Sequence, residues 1–438
     1  MTDGMGSHAG SAIAAPGKPG RWRHGVGLAL AASIAAISAV SGVAGAETTF
    51  TRDVVPILQQ HCQECHRRGG AAPFELAVYE HVYRRRDKIA EMVRTRAMPP
   101  WKPVAGYGDF AGVRGLSKEE IATILRWVEG GAPEGDPRDR PPARTFSTGE
   151  DRGTPALTVR TEPFTAKAKS GDIYRCFSIP TAFAEERFFT LSEVVPGNNR
   201  IVHHMLAMVD EAGDSARIPP ADEEPGYPCF GGPKVKIGGY LGSWTPGSRP
   251  WAMPEGVGIR LPPGARVVVQ MHYHNARLQP ETDQTELRLY AATAPVTKSL
   301  QFMRVGRFSL NIPAGAARHE VEAEAFVYRP MSVIAIHPHM HLLGREMKVW
   351  AKLGDESKRP LIHIDDWDFH WQGFYFYRTP VALPARSTIE MMAAWDNSAE
   401  NPRNPNKPPK PVYWGERTID EMGHAAVLFT YDDETLSR

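Results

Sequence analysis

Glycine and proline interrupt this chain so often that long helices cannot make up most of it. The sequence has 40 glycines and 38 prolines among 438 residues, about 18% together against a usual ~12%. Frequent turns of this kind favour short strands. Short apolar segments lie between the glycines and prolines of the C-terminal two thirds, at 206–209, 259–261, 266–271, 332–336, 347–351, 388–394 and 425–431. This pattern predicts β-sandwiches over residues 156–438.

The first 46 residues have the features of an export signal. A basic stretch at 21–24 precedes an Ala-rich apolar run over 25–43, which ends in the sequence Ala-Gly-Ala at 44–46. A basic region, an apolar stretch and a small-residue cut site are typical of a secretory signal. We therefore expect cleavage after Ala46 and a periplasmic or secreted protein. The apolar run is also close to the length of a membrane span, so an uncleaved N-terminal anchor is the alternative, and no other membrane contact is expected.

The charge balance argues against a nucleic-acid partner. The chain has 51 basic and 50 acidic side chains, for a formal net charge of +1, whereas nucleic-acid-binding domains usually present a strongly basic face. Hydrophobic residues make up 42% and charged residues 23% of the chain, which is an ordinary balance for a folded protein. The length corresponds to about three domains of ~150 residues each.

Residues 62–66 read Cys-Gln-Glu-Cys-His, a C-x-x-C-H motif. Two thiols at this spacing can add to the two vinyl groups of one haem, and the following His supplies an axial nitrogen to the iron. We therefore predict one covalently bound haem c, held by Cys62, Cys65 and His66. A redox dithiol and half of a zinc site are the alternatives, but neither requires the His, and a zinc ribbon needs a second Cys pair.

Two helices are predicted around this motif. Thr51 is placed to cap a helix that leads into it, and residues 117–120, Ser-Lys-Glu-Glu, form a capping box that opens an amphipathic helix ending at Gly130. A helix before the motif and a closing amphipathic helix resemble class I cytochrome c. This resemblance implies a small all-α haem domain over 47–137.

The sixth iron ligand is expected to be a thioether, because a haem that only carries electrons favours a soft ligand. Met98 lies in a loop before two prolines, which resembles the distal ligand segment of small cytochromes c. Met92 is the alternative thioether. Ligation by a second histidine, His61 or His81, is the other alternative, although both are expected at the surface.

Seven of the sixteen histidines form three tight clusters in the C-terminal part of the chain. They are His203, His204, His272, His274, His337, His339 and His341. Because residues i and i+2 of a strand lie on one face, each H-x-H sequence can present two imidazoles to one metal ion. The adjacent His203 and His204 face opposite ways in a flat strand, so they can share a metal only at a bulge or a strand end.

Imidazole alone does not select one metal, since zinc, copper, iron and nickel all accept it, but a thioether ligand favours Cu(I). No carboxylate accompanies the clusters in sequence, which argues against a 2-His-1-carboxylate iron site. A zinc hydrolase would need a general-base Glu beside a His pair, as in H-E-x-x-H, and none is evident. For a single H-x-H sequence, an ordinary core or surface role is the alternative.

The order of these motifs resembles the copper type II, ascorbate-dependent monooxygenases, that is, the dopamine β-hydroxylase and peptidylglycine α-hydroxylating enzymes. The stretches that carry the resemblance are I-V-H-H-M at 201–205, V-Q-M-H-Y-H-N at 269–275, H-M-H-L-L-G-R at 339–345 and D-E-M at 420–422. Together the resemblances imply a multi-domain chain, with a small all-α cytochrome c domain followed by two all-β, jelly-roll-like copper sandwiches. The expected boundaries are 47–137 for the haem domain, 138–155 for a linker rich in Pro, Gly and charge, and 156–298 and 299–438 for the sandwiches.

The same resemblance assigns two copper ions by motif position. The ligands implied for the first copper are His203, His204 and His272. The ligands implied for the second copper, where O2 is activated and which is the expected catalytic centre, are His339, His341 and Met422.

Three further positions are weighed against this ligand set. His274 stands where the peptide-processing members have no ligand, so it is left out. Met391 and Met392 are alternatives to Met422, which is preferred because its D-E-M stretch precedes the last strand, as in the family. The peptide-processing enzymes carry an Arg that holds a substrate carboxylate where this chain has His337, so a peptide C-terminus is not the expected substrate.

Two cysteines remain beside the haem motif. Relatives carry a disulfide from a similar Tyr-x-Cys strand, and the resemblance implies a Cys176–Cys229 bond here. An oxidising compartment and an even number of cysteines favour the same pair. Two free thiols are the alternative.

The resemblance implies a monooxygenase that inserts one oxygen atom of O2 into an aliphatic C–H bond of a small organic substrate. The haem segment in front predicts that an external donor, a small reductant or a redox protein, reduces the haem, and that the haem reduces the all-His copper. The alternative function is a haem–copper electron-transfer or copper-holding protein without oxygenase activity.

Overall fold

Strands dominate the computed structural model, which describes residues 47–436 except 69, 71, 73 and 147–151. The export signal predicted over 1–46 therefore lies outside the described residues. In the described part of the chain, no helix has the length and apolar character needed to cross a membrane.

Four short α-helices lie in the N-terminal segment, residues 47–137. A π-helical turn at Phe50–Val54 leads into Val55–His61 (α1), and Tyr79–Tyr83 (α2), Arg86–Arg94 (α3) and Lys118–Glu129 (α4) follow. The predicted capping box is confirmed, because the Ser117 hydroxyl accepts from the backbone N–H of Glu120 and the Glu120 carboxylate accepts from the backbone N–H of Ser117. The predicted Thr51 cap is wrong, since Thr51 lies inside the π-helical turn.

The predicted fold class is wrong, because the described residues form mainly β-strands and include no all-α domain. The helices have only 5 to 12 residues each, and the chain between α3 and α4 leaves the helical segment to join a β-sheet. There, Phe110 forms a bridge with Tyr377 and lies in the core of the C-terminal sandwich, 3% exposed. The described residues from 48 to 436 consequently form one compact unit. The physical reason is the composition of residues 97–117, whose prolines and glycines end the helical pattern and whose aromatic side chains need a core to cover them.

The N-terminal sandwich is built from thirteen strands among the described residues. Their bounds are Leu157–Arg160 (β1), Phe164–Ala166 (β2), Gly171–Pro180 (β3), Arg187–Val195 (β4), Val202–Asp210 (β5), Tyr227–Pro228 (β6), Gly239–Trp244 (β7), Trp251–Ala252 (β8), Val257–Leu261 (β9), Arg266–Asn275 (β10), Glu281–Asp283 (β11), Glu286–Ala291 (β12) and Lys298–Ser299 (β13). One sheet has the order β1-β12-β4-β9-β13, with β8 beside β4, and the other has the order β6-β3-β10-β5-β7. Their facing apolar side chains, such as Phe189, Met205 and Val269, form one core.

The C-terminal sandwich contains the remaining ten strands of the described chain. Their bounds are Gln301–Arg307 (β14), Asn311–Ile312 (β15), His319–Phe326 (β16), Met331–Met340 (β17), Gly344–Lys352 (β18), Lys358–Ile364 (β19), Tyr375–Leu383 (β20), Thr388–Trp395 (β21), Val412–Tyr413 (β22) and Gly423–Tyr431 (β23). One sheet has the order β14-β23-β17-β20 and the other has the order β16-β21-β18-β19. Each apolar segment that predicted a strand lies inside a longer strand of one of the two sandwiches.

The two sandwiches meet through the outer face of the sheet that contains β17 and β23. Ala335 of β17 and Leu428 of β23 are buried in the core cluster of the N-terminal sandwich, not in that of their own. Side chains that follow them at a spacing of two along these strands point the same way. This arrangement directs the histidines at the ends of β17 and β23 toward the first sandwich.

Candidate metal centres

The first histidine cluster joins two neighbouring strands of the N-terminal sandwich. His272 of β10 pairs with His204 of β5, but the next pair in the register is Tyr273 with Val202, so His203 has no cross-strand partner. The extra residue makes a β-bulge, which turns a side chain away from strict alternation. The bulge therefore lets the adjacent His203 and His204 face the same point, as their sharing of a metal requires.

Three Nδ1 atoms converge in this cluster. The Nδ1 of His204 lies 3.4 Å from that of His203 and 3.3 Å from that of His272. Among the described residues, this is the one group of three His, Cys, Asp or Glu whose ligand atoms all lie within 4.8 Å of one another. Nitrogens held about 2.0–2.1 Å from one ion at tetrahedral angles would be separated by roughly 3.3 Å. The spacing of the three nitrogens thus fits a single transition-metal ion.

Asp172 of β3 orients the buried member of the cluster. Its Oδ1 lies 3.0 Å from the Nε2 of His272 and 3.0 Å from the Nδ1 of His274. When His272 donates its Nε2–H to this carboxylate, its Nδ1 carries the lone pair that faces the other two rings. His274 is exposed and does not belong to the cluster. Sequence reasoning missed Asp172, which lies a hundred residues from His272.

Burial keeps these imidazoles neutral. It lowers the pKa of His203 to about 3, and it lowers the pKa of His204 well below its usual range, with the neighbouring histidines adding to the effect. The pKa of His272 is also lowered by burial, although Asp172 opposes the shift. Neutral imidazole is the form that binds a metal ion, so the site is set up for ligation at neutral pH.

A second group of histidines lies on one face of β17 and just beyond its end. His337, His339 and His341 alternate with Pro338 and Met340. Each ring has an oxygen within hydrogen-bond distance of its Nδ1: the carbonyl of Gly373 at 3.1 Å, the Gln372 Oε1 at 2.6 Å and the carbonyl of Asp420 at 3.0 Å, respectively. An Nδ1–H donated to each oxygen leaves Nε2 as the free nitrogen. Burial lowers the pKa of His337 and of His341 to about 4, so both rings are neutral.

His424 is a member of this second group that sequence reasoning missed. It is the cross-strand partner of His339, and the two ring centroids are 4.9 Å apart. Burial and the charge of Arg304 lower its pKa well below the usual range. The signal was present in sequence as the alternation of Met422 and His424 at the start of β23, which places both side chains on one face.

Met422 lies with these histidines along one cavity, whereas its rivals do not. Met391 is buried between the sheets of the C-terminal sandwich, 1% exposed, and Met392 pairs with Glu322 and Lys348 in the outer sheet. Neither lines the cavity that Met422 lines.

Glu421 fixes the geometry next to Met422. This carboxylate is fully buried and accepts from the backbone N–H of His341 at 2.9 Å, the backbone N–H of Leu343 at 2.6 Å and the indole N–H of Trp395 at 2.9 Å. Burial raises its pKa to about 8, against the effect of these donors. Glu421 therefore ties the end of β17 to the start of β23, where the histidines and the thioether meet.

Both groups face one cavity of about 810 Å³ between the sandwiches. His203 and His204 line it from the first sandwich, and the β17 histidines, His424 and Met422 line it from the second. Phe369 stands between the groups, with its ring centroid 5.0 Å from that of His203 and 5.8 Å from that of His341. A single molecule in this cavity could therefore contact both groups.

The C-x-x-C-H motif lies in the turn after α1. Cys62 and Cys65 are free thiols, and the Nδ1 of His66 lies 3.1 Å from the carbonyl oxygen of Phe74. Burial raises the pKa of Cys62 to about 12 and raises that of Cys65. Catalytic dithiols have lowered thiol pKa values, so this environment does not favour the redox-dithiol alternative.

The candidates for the sixth iron ligand differ in their surroundings. Met98 is half-buried in the turn after α3, and His81 is exposed as expected. The expectation that His61 lies at the surface is wrong, because it is 7% exposed. Its Nδ1 lies 3.1 Å from the carbonyl oxygen of Arg114 and its Nε2 lies 2.9 Å from a carboxylate oxygen of Glu120. Both ring nitrogens are thus engaged, which argues against His61 as a ligand.

The predicted disulfide is confirmed. Cys176 on β3 is bonded to Cys229, with their Cα atoms 5.7 Å apart. Both residues are fully buried beside the strand pair β3 and β10. The bond holds the segment after β6 close to the strand that carries His272.

Comparisons with known proteins do not place the chain in a family. No family model and no curated protein matches it. Similar solved structures include infectious bursal disease virus Gx strain (8% identity, 63% of this chain and 73% of that one, TM-score 0.19) and the major capsid protein P2 from bacteriophage PM2 (10% identity, 64% and 99%, TM-score 0.25). PNGF-II is a third (9% identity, 63% and 65%, TM-score 0.24). At these TM-scores the likenesses carry no argument.

Proposed function

We propose that this chain is an exported copper-dependent monooxygenase that hydroxylates an aliphatic C–H bond of a small organic substrate with O2. The observation that carries the proposal is the shared cavity, which is faced by a three-histidine group from one sandwich and a histidine–methionine group from the other. The order of sequence motifs that resembles the copper type II monooxygenases supports the same function.

The residues present fit two copper ions of different character. His203, His204 and His272 offer three neutral nitrogens at the spacing of one ion, whereas the second group adds the thioether of Met422 to His339 and His341. Sulfur favours Cu(I) over the other metals that imidazole accepts. Bound copper would supply one-electron redox chemistry and, at the thioether site, activation of O2.

The protein's own contribution is to hold the ligands in one protonation state and to shape the space between them. Asp172, Gln372 and the carbonyl of Asp420 can accept hydrogen bonds from ring N–H groups of His272, His339 and His341, respectively, which leaves the opposite nitrogen of each ring free to bind a metal ion. Aromatic side chains cover much of the cavity wall, including Trp244, Trp251 and Phe374. This aromatic part of the wall favours a hydrocarbon substrate.

The C-x-x-C-H motif supports a covalent haem as part of the proposal, without an all-α domain around it. The Nδ1–H of His66 can donate to the Phe74 carbonyl, which leaves Nε2 free for an axial bond. A cavity of about 450 Å³ near this turn is lined by Phe74, His81, one carboxylate (Glu75) and four arginines, Arg67, Arg68, Arg84 and Arg85, so that its described lining is basic on balance. This positive lining would complement the two carboxylates of a haem. The haem would supply one-electron redox chemistry fed by an external donor.

A chain of contacts leads from the motif to the copper ligands. The Glu64 carboxylate, inside the motif, pairs with Arg249. The loop that carries Arg249 begins at Thr245, whose hydroxyl donates to the carbonyl of Gln372, and the Gln372 side chain accepts from His339. These contacts connect the haem segment to the second histidine group, whereas the predicted relay delivers electrons to the all-His group first.

Metal analysis with electron paramagnetic resonance tests the proposal. The copper-loaded chain should bind two coppers with type 2 signals, His272→Ala should lose one, and the double variant His339→Ala/Met422→Ala should lose the other. His81→Ala, which changes an exposed histidine, serves as the control and should keep both. Fewer than two coppers in the parent chain, or both retained in the double variant, would overturn the assignment.

Isotope labelling tests the oxygenase step. With ¹⁸O2, a small reductant that supplies two electrons per turnover and a panel of small aryl-alkyl compounds, mass spectrometry should find one labelled oxygen atom in a hydroxylated product, the other being reduced to water. If the loaded protein reduces O2 without labelling any member of the panel, the electron-transfer alternative is favoured.

A further inference from the structure

The cavity between the sandwiches is nearly free of charged side chains. Of the described residues that line it, Arg304 is the one arginine or lysine and Glu416 the one carboxylate. His370 also lines the cavity, where its Nδ1 lies 3.0 Å from a carboxylate oxygen of Asp368, and this hydrogen bond raises the pKa of His370. Because His370 is already paired with Asp368, Arg304 is the cationic side chain of this lining that has no carboxylate within ion-pair distance among the described residues.

The strand register places Arg304 beside the second histidine group. Arg304 of β14 pairs with Ala426 of β23, and Ala426 pairs in turn with His337 of β17. The neighbouring row of the same face runs from Gly306 through His424 to His339. Residues paired across antiparallel strands have Cβ atoms about 4.5–5.5 Å apart. Ala426, with its single methyl group, leaves open space between the guanidinium and the imidazoles.

The face of β14 confirms the direction of this side chain. Val305 points into the core of its own sandwich, 1% exposed, so Phe302 and Arg304 point to the opposite side. Phe302 packs there against Tyr240 of the first sandwich, with ring centroids 4.3 Å apart. Arg304 therefore projects into the cavity.

The guanidinium of Arg304 interacts with the carboxyl of Glu416 through charge but forms no close ion pair with it. Its contact is with the ring of Phe308, 5.3 Å from the centroid, and it makes no ion pair with an Asp or Glu in the described part of the chain. Glu416, the carboxylate in the lining, accepts from the backbone N–H of Gly231, and burial raises its pKa although the charge of Arg304 opposes the shift. Burial disfavours charge on this carboxyl, whereas a guanidinium stays charged at all ordinary pH values. A bound anion would therefore find a stronger charged partner in Arg304 than a bound cation would find in Glu416.

The remaining wall is suited to an apolar body. Trp251 and Phe374 lie with ring centroids 4.7 Å apart, and Leu206, Met208 and Leu428 extend the apolar surface. A cavity of this size is within the range of small-molecule sites, about 300–1,000 Å³.

We infer that the substrate of this cavity is an apolar carboxylic acid, whose carboxylate is bound by Arg304 and whose hydrocarbon chain lies against the aromatic wall beside the histidine–methionine group. This inference rests on the proposed function for the reaction, but the binding itself does not require metal. An arginine fork can hold a carboxylate through two parallel hydrogen bonds. Arg304 would then fix which carbon of the chain faces Met422 and His339.

Binding to the metal-free protein tests the inference separately from the proposed function. The probes are 4-phenylbutanoate, the matched neutral 4-phenylbutanamide and the matched cation 4-phenylbutylamine, with affinity measured by calorimetry and by fluorescence of the cavity tryptophans. The parent chain should bind the carboxylate about tenfold more tightly than the amide, as expected for a hydrogen-bonded charge. Arg304→Ala should abolish this preference, and Arg304→Lys should keep part of it.

Arg307→Ala is the matched control, because Arg307 is an exposed arginine three residues on along β14 that does not line the cavity. It should leave the preference unchanged. Tighter binding of the amine, no preference among the three probes, or a preference that survives Arg304→Ala would each overturn the inference. Since these results come from metal-free protein, they stand whether or not copper binding and ¹⁸O2 incorporation bear out the reaction.

Discussion

Single side chains decide whether the first histidine cluster is a metal site or a packed group of rings. The three Nδ1 atoms can bind one ion only if each Nδ1 carries a free lone pair. The proton of each neutral ring must therefore be on Nε2. In His272, Asp172 sets the tautomer, because its carboxylate can accept a hydrogen bond from the Nε2–H of the ring. Asp172, which does not itself belong to the cluster, is therefore expected to affect the affinity of the three histidines for a metal ion.

We expect Asp172→Ala to weaken metal binding at the first cluster by about 10- to 100-fold, because His272 loses the acceptor that fixes its tautomer and ring orientation. Chelator competition with copper measures the change. His274→Ala is the control, since it removes the other, exposed partner of the same carboxylate and should leave the affinity as it was. An unchanged affinity in Asp172→Ala would show that packing alone orients His272.

At the level of strands, the sequence predicted the positions of the strands along the chain better than their pairing in the sheets. Alternating and apolar segments located the strands of both histidine groups because that signal is local. The sequence predicted that His203 and His204 can share a metal only at a bulge or a strand end, and the strand register has a bulge at His203. The role of His424 could not be predicted, because it depends on the pairing of β17 with β23, strands that are far apart in sequence. Asp172 was missed for the same reason.

Glu421 is the link between two such strands, and its removal should be costly. Glu421→Ala leaves three buried N–H donors without an acceptor, so we expect a loss of about 3 kcal/mol or more in the free energy of unfolding. Glu421→Gln keeps one acceptor oxygen and should lose less. Urea denaturation of the metal-free protein measures both.

Glu416→Ala is the comparison for this series, since Glu416 lies in the same segment and accepts from one backbone N–H, that of Gly231. Its loss of stability should be the smallest of the three. Equal effects of Glu421→Ala and Glu416→Ala would mean that the buried carboxylate does not tie the strands together.

At the scale of the whole molecule, the segment that the sequence assigned to a separate domain is part of the β structure. The capping box is a local signal, and it forms where the sequence predicted it. Phe110 is buried against Tyr375 and Tyr377 of β20. This contact joins residues far apart in sequence, so a local sequence pattern could not predict it. Lys102 adds an ion pair with Asp366 of the C-terminal sandwich. Helical segment and sandwich therefore share part of one core.

This shared core predicts that the two parts lose stability together. Phe110→Ala removes a buried ring, which we expect to cost about 3–5 kcal/mol, and hydrogen exchange should show reduced protection in α4 as well as in β20. Tyr107→Ala is the control, because Tyr107 is 38% exposed in the same segment and should change protection little. If β20 alone lost protection while α4 kept it, the helical segment would fold independently of the sandwich. Joint loss would instead mean that the spacing between the C-x-x-C-H motif and the cavity is set by the fold and not by a flexible tether.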